Sequence, residues 1–286
     1  MRQFRIVTDG SCDLPAEWCK EHHIAVLPLY FSIAGAIPEP YPGSGEMKIE
    51  DFYAMLRQGT AVQTSAPSIE DCKDILRPIL AGGFDILYTG LSSKLSGMFN
   101  VMRLASMELQ EEFPERRVVV LDSKGGSLGL GILLHALAAA QEKQQELEEV
   151  IALGESLIGR ISHRFIVGNL MFLKRGGRIS GSAAVVGTVL QIMPMLHVNA
   201  EGAIEPYSKI RGRKTALRTL ADELGGEAAP GTAVYLGHCD APEDAAFVRE
   251  ILRRKFGIKE VLTGEIGPVL GAHAGPDTVA GFCLVK

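Results

Sequence analysis

The sequence predicts an α/β protein in two parts: a mostly parallel wound sheet with helices, then a second α/β unit whose sheet is mixed and partly antiparallel. Three observations carry this. At about 150 residues per domain, 286 residues fill one large or two modest domains. Through the first half, runs rich in β-branched residues alternate with amphipathic helical patterns, which are the crossovers that parallel strands require. In the second half the strands are unevenly spaced, and one pair is separated only by Ala200-Glu201-Gly202, a spacing that suits a hairpin.

Taken in order, Phe4 to Thr8, Ile24 to Ile33, Phe84 to Thr89 and Val118 to Leu121 read as strands. Helices are expected at about Pro15 to His22, Ile49 to Gln58, Ser68 to Leu80, Ser96 to Glu112 and Ser127 to Lys143. Ser68-Ile-Glu-Asp71 has the form of a capping box, and Ser96 and Ser127 stand where they can start helices. The Pro/Gly stretch Gly35 to Gly45 is expected to be an exposed surface loop. A strongly polar run, 141–149, opens a further helix and marks the boundary region, which we place near Gly159: 1–159 as the first domain and 160–286 as the second. Beyond it, Phe165 to Gly168, Pro194 to Asn199, Ala203 to Pro206, Ala233 to His238, Ile258 to Thr263 and Val279 to Val285 read as strands.

Composition removes several function classes. With 47% hydrophobic and 22% charged residues, the chain sits near the globular average. A net charge of −5 gives no chain-wide attraction to nucleic acid or anionic lipid. The apolar stretches Gly129 to Ala140 and Ala183 to Leu196 are interrupted by His135, Gly187, Thr188 and Gln191, short of the ~18 residues of a membrane span. The basic start leads into Ile6-Val7-Thr8-Asp9-Gly10, not into a signal-peptide core, so a cytoplasmic protein is expected. The five cysteines are odd in number and scattered without a C-x-x-C pair, which predicts buried small hydrophobes. With no metal-ligand spacing and no nucleotide fingerprint, neither metal nor cofactor is expected.

The chemistry gathers where strands end. Thr8-Asp9-Gly10-Ser11, Thr64-Ser65-Ala66-Pro67-Ser68, Ser92-Ser93-Lys94-Leu95-Ser96-Gly97 and Asp122-Ser123-Lys124-Gly125-Gly126-Ser127 all fall in strand-end loops. Wound sheets bind ligands at the carboxyl ends of their strands, where helix N-termini and hydroxyls offer donors to an anion. Most of these serines can be helix caps, but Thr64 and Ser65 precede the cap at Ser68 and have no helix of their own. Because Lys94 and Lys124 are the loops' two lysines, the donor supply suits a singly charged carboxylate better than a polyphosphate. A second reading is a serine hydrolase: Gly125-Gly126-Ser127-Leu128-Gly129 fits G-x-S-x-G, with Asp240, Asp244, Asp277, His238 and His273 downstream. Against it, Ser127 lies six residues past Leu121 and no oxyanion loop of the H-G-G-G type precedes it. Of the seven histidines, His273 is singled out by its Gly/Pro-punctuated setting, Gly267 to Pro276, where backbone approaches closely and aims the ring. Lys174-Arg175-Gly-Gly-Arg178 and the run Lys209, Arg211, Arg213, Lys214, Arg218 form basic clusters that can steer an acidic partner.

Read together, six ordered motifs resemble the DegV family over the whole chain: Val7-Thr-Asp-Gly-Ser-Cys-Asp-Leu-Pro15, Thr64-Ser-Ala-Pro-Ser68, Leu91-Ser-Ser-Lys-Leu-Ser-Gly97, Asp122 to Gly131, Leu173-Lys-Arg-Gly-Gly-Arg-Ile-Ser180 and Gly267 to Pro276. The resemblance implies a carrier, not a catalyst: a protein that binds one long-chain fatty acid and serves as the acyl-carrying subunit of bacterial fatty acid kinase. It also implies a carboxylate held by Thr64, Ser65, Ser93, Ser96 and His273, presented to a separate ATP-binding kinase subunit. Arg175, Arg178, Arg211 and Arg213 are the candidates for docking that subunit. Gly10, where the family pattern has serine, and Met98, where it has threonine, depart from the motifs. An apolar pocket suits such a ligand, since burying roughly 15 methylenes at ~0.8 kcal/mol each gives on the order of 12 kcal/mol gross.

Overall fold

The computed structural model describes residues 3–42, 47–179 and 192–286. In chain order the elements are β1 (Phe4–Asp9), α1 (Ala16–Glu21), β2 (Ala25–Leu27), β3 (Leu29–Ile33), β4 (Glu39–Tyr41), α2 (Ile49–Arg57), β5 (Val62–Ser65), α3 (Ile69–Ala81), β6 (Asp85–Gly90), α4 (Met98–Glu112), β7 (Val118–Asp122), α5 (Ser127–Glu142), α6 (Leu147–Ile158), β8 (Ile161–Ile166), α7 (Met171–Arg175), β9 (Ile192–Val198), β10 (Ile204–Arg211), α8 (Arg213–Glu227), β11 (Val234–His238), α9 (Pro242–Phe256), β12 (Val261–Glu265), α10 (Pro268–Ala274) and β13 (Val279–Leu284).

Three sheets result. A parallel sheet has the order β2-β1-β6-β7, a mixed one the order β10-β9-β8-β13-β11-β12, and a small antiparallel one the order β4-β3-β5. The α/β class, the parallel first sheet and the mixed second sheet are as the sequence predicts. So is the hairpin, in which β9 and β10 pair antiparallel around Gly202, whose φ of +89° is open to glycine at no steric cost. Every strand of the parallel and small sheets precedes Gly159, and every strand of the mixed sheet follows it.

Two expectations are corrected here. Ile24 to Ile33 is not one strand: Pro28, which has no amide to donate, separates β2, paired with β1, from β3, paired with β4 and β5 in another sheet. The 35–45 stretch is not loop throughout, since Glu39–Tyr41 forms an edge strand; its last three residues, 43–45, lie outside the described residues, as does most of the apolar run that begins at Ala183.

The parallel sheet is covered on one face by α3 and α4, whose Leu76, Leu80, Met98 and Met102 pack on Val7, Ile86 and Tyr88. On its other face Leu130, Leu133, Leu134 and Leu137 of α5 meet Ile6 and Leu87. The same helix touches β8, β11 and β13 of the mixed sheet, so α5 lies between two sheets and is apolar nearly all round. On the far face of the mixed sheet, α8 and α9 bury Leu217, Leu220, Val248 and Leu252. A fourth core joins Phe31, Phe52 and Tyr53 of the small sheet and α2 to Phe165, Leu196 and Phe282 of the mixed sheet. It is in this shared core that a cavity opens.

Candidate functional site

A cavity of about 300 Å³ is lined from both halves of the chain. Its apolar wall includes Leu29, Leu91, Phe165, Leu173, Val198, Ile204 and Phe282; its polar lining includes Thr64, Ser65, Ser96, Ser127, Arg178 and His273. Thr64 and Ser65 stand on β5, not in a loop as expected: Thr64 pairs with Phe31 and Ser65 with Tyr30 of β3. Thr64 Oγ1 lies 2.7 Å from His273 Nε2 on α10, although 209 positions separate the two residues. Burial first, and the charge of Arg178 second, push the His273 imidazole down to about 4, so it is neutral at pH 7. The ring sits so close to the turn after α7 that a Cβ on Gly176 would come 2.1 Å from Nδ1. Only a glycine admits this approach.

Two residues later in that turn, Arg178 faces the cavity, with Nε donating to the Leu95 carbonyl at 2.9 Å and Nη1 bonded to the Gly176 carbonyl. Its neighbour in the Ser-rich loop is Ser96, whose Oγ accepts from the Met98 amide at 3.1 Å. Thr64 and His273 are thus in direct contact, and Arg178 bonds the carbonyl of Leu95, the residue before Ser96. Ser93 is not among the lining residues: it is exposed and its amide donates to Asp122, because the loop turns its neighbour Ser92 inward to donate to the Gly202 carbonyl at 2.8 Å.

The four arginines assigned to docking divide. Arg178 is half-buried and lines the cavity, where it follows the Gly176-Gly177 turn. Arg213 is engaged within the fold, with Nε 2.6 Å from Asp244 Oδ2 and Nη2 donating to the Asp277 carbonyl at 2.7 Å. Arg175 and Arg211 are exposed, Arg175 lying over the Phe172 ring at 5.9 Å.

Ser127 does not cap α5 as the sequence suggested, since Gly126 holds the cap position and Ser127 is the first helical residue at φ +52°. Its Oγ donates to Asp13 Oδ2 at 2.6 Å, and its amide to the Ser11 carbonyl at 2.7 Å. With that hydroxyl on a carboxylate and His273 on Thr64, the serine–histidine pair of a hydrolase is not formed. The Asp13 carboxyl is pushed up to about 7, mainly by burial and also by the charge of Asp9, against the bonds from Ser127 and the Gly267 amide.

His163, buried in the cavity wall, donates through Nδ1 to the Ile161 carbonyl at 3.0 Å and packs edge-on against Phe282. Burial pushes it down to about 4. Between 6.5 and about 4 the unfolded chain takes up the proton and the folded one does not, so stability present at neutral pH is lost as pH falls through that window, by on the order of 3 kcal/mol. His163→Gln, followed by urea denaturation at several pH values, is expected to show a shallower loss of stability over that window. An unaltered slope would refute this assignment.

Comparison with known proteins adds context to this geometry. The DegV family model matches residues 3–286. A DegV domain-containing protein of Clostridium perfringens is 34% identical over 286 residues, which cover 99% of this chain and 98% of that protein. A DegV family protein from Thermus thermophilus, described for its fatty acid binding, is similar in structure with a TM-score of 0.87 at 31% identity over 100% of both chains. DegV of Bacillus subtilis, described as a fatty acid binding protein, gives 0.85 at 26% identity, also over 100% of both. Among the described residues, no helix is long and apolar enough to cross a membrane.

Proposed function

Since the chain belongs to the DegV family, we propose that it binds a single long-chain fatty acid, with the acyl chain in the cavity and the carboxylate at Thr64, Ser65, Ser96, Arg178 and His273. The observation that carries this reading is the polar group of Thr64, Ser65, Ser96, Arg178 and His273 in a mostly apolar cavity, with Arg178 the one permanently charged residue among the described residues of its lining. The hydroxyls and the neutral imidazole supply orientation, and the guanidinium supplies the opposite charge. Relatives described as fatty acid binding proteins support the ligand class.

The chain carries no phosphate loop, so formation of an acyl phosphate requires ATP held by another protein. In this reading the protein is a carrier that presents the carboxylate to a kinase subunit, and the exposed Arg175 and Arg211 are the steering charges for it. Denaturing mass spectrometry of the purified protein is expected to release one fatty acid of roughly 14 to 20 carbons, the length that gives the cavity its affinity. Adding ATP alone is expected to leave that acid unphosphorylated. Release of no lipid from protein expressed in fatty-acid-supplemented cells, or an acyl group covalently on Ser127, would overturn the proposal.

A further inference from the structure

The 266–273 segment, which carries His273, is held against the first half of the chain by three polar contacts. Tyr53 of α2 donates to the Ile266 carbonyl at 2.5 Å, the Gly267 amide donates to Asp13 Oδ1 at 2.9 Å, and Thr64 meets His273. Close packing makes the placement sensitive: a Cβ on Gly267 would fall 2.4 Å from the Tyr41 ring, and one on Gly271 would fall 2.3 Å from Tyr53 Oη. Of the three contacts, the one at Asp13 also reaches a second wall of the cavity, because its other oxygen accepts from Ser127 at the start of α5.

We infer that Asp13 is a positioning residue for the head-group site, fixing α10 and the start of α5 relative to each other so that His273 meets Thr64 beside the ligand carboxylate. This rests on the carboxylate-binding reading of the cavity. It also accounts for the Gly125-to-Gly129 motif, whose serine is the partner of this carboxylate. Asp13 is only partly exposed and is not among the residues that line the cavity, so its loss should be felt at the head of the ligand and not along the chain.

The test measures affinities of delipidated protein for dodecanoic acid and dodecan-1-ol, which share a tail and differ in the head. Asp13→Ala is expected to lower the acid-over-alcohol preference about tenfold, the effect of misplacing one charge-assisted hydrogen bond. Asp13→Asn is expected to restore it, since the side-chain oxygen still accepts from Gly267 and the amide donates to Ser127 Oγ. A merely destabilised protein would lose both ligands together and keep the ratio. If Asp13→Ala does not fold, Ser127→Ala, which removes one of the two bonds to Asp13, is expected to lower the ratio about threefold. A wild-type preference for the acid that persists unchanged in the folded variant would overturn the inference. A wild-type protein with no preference for the acid would instead overturn the carboxylate reading, and this inference with it.

Discussion

Replacing Asp9 with alanine is expected to cost about 4 kcal/mol or more of folding free energy, the largest single effect predicted for this chain. Asp9 ends β1 and is fully buried. One carboxylate oxygen accepts from the amide and the hydroxyl of Ser11 at 3.0 and 2.5 Å; the other accepts from Tyr88 Oη at 2.7 Å and from the Leu91 amide at 3.0 Å. These bonds join β1 to the end of β6, so the two central strands of the parallel sheet share one acceptor just below the hydroxyl loops. Alanine leaves four donors without a partner, each costing about 1–3 kcal/mol where water cannot reach. Asparagine keeps one acceptor oxygen but turns an amide toward the remaining donors, so it should fall between alanine and wild type. Urea denaturation followed by circular dichroism reads the effect, and a loss below about 1 kcal/mol for Asp9→Ala would mean that these contacts do not hold the sheet.

Elements with strong periodicity are legible in the sequence. β1, β6 and β7 are short apolar runs flanked by turn residues, and α3 announces itself by Ser68 and Asp71, whose reciprocal bonds are both 3.1 Å. The small antiparallel sheet is not legible, for two physical reasons. β5 reads Val-Gln-Thr-Ser, too short and polar to show a strand pattern, and β3 continues a run of apolar residues that also contains β2, with only Pro28 marking the change of sheet. At the site, a sequence can rank Thr64, Ser65 and His273 as unusual because each lacks an ordinary structural use. It cannot separate Ser92 from Ser93, adjacent and chemically identical, since which one turns inward depends on the hairpin tip at Gly202. Nor does an arginine in a glycine-flanked turn differ in sequence from one on a surface. The inward course of Arg178 follows from Gly176 lying against His273, a contact between residues 97 positions apart.

For Arg178→Ala we expect a roughly hundredfold loss of fatty-acid affinity, about 3 kcal/mol, with little change in folding stability. The reason is charge. Desolvating a carboxylate is costly unless an opposite charge or several strong donors replace the water. Thr64, Ser65 and Ser96 are neutral donors, and His273, held down to about 4, is uncharged at pH 7. Among the described residues of the lining, the guanidinium is therefore the one full positive charge, and burial leaves it charged, since arginine does not lose its proton in proteins. Lysine should recover part of the loss, because it restores the charge without the planar fork, which can bond a carboxylate while Nε donates to Leu95. The corresponding alcohol, with no charge to neutralise, should bind the wild-type and alanine proteins within about threefold of each other. Competition against a fluorescent fatty acid reads both ligands. A fatty-acid affinity for Arg178→Ala within about threefold of wild type would place the carboxylate elsewhere in the cavity, whereas equal losses for acid and alcohol would mean that Arg178 shapes the cavity instead of pairing with the ligand.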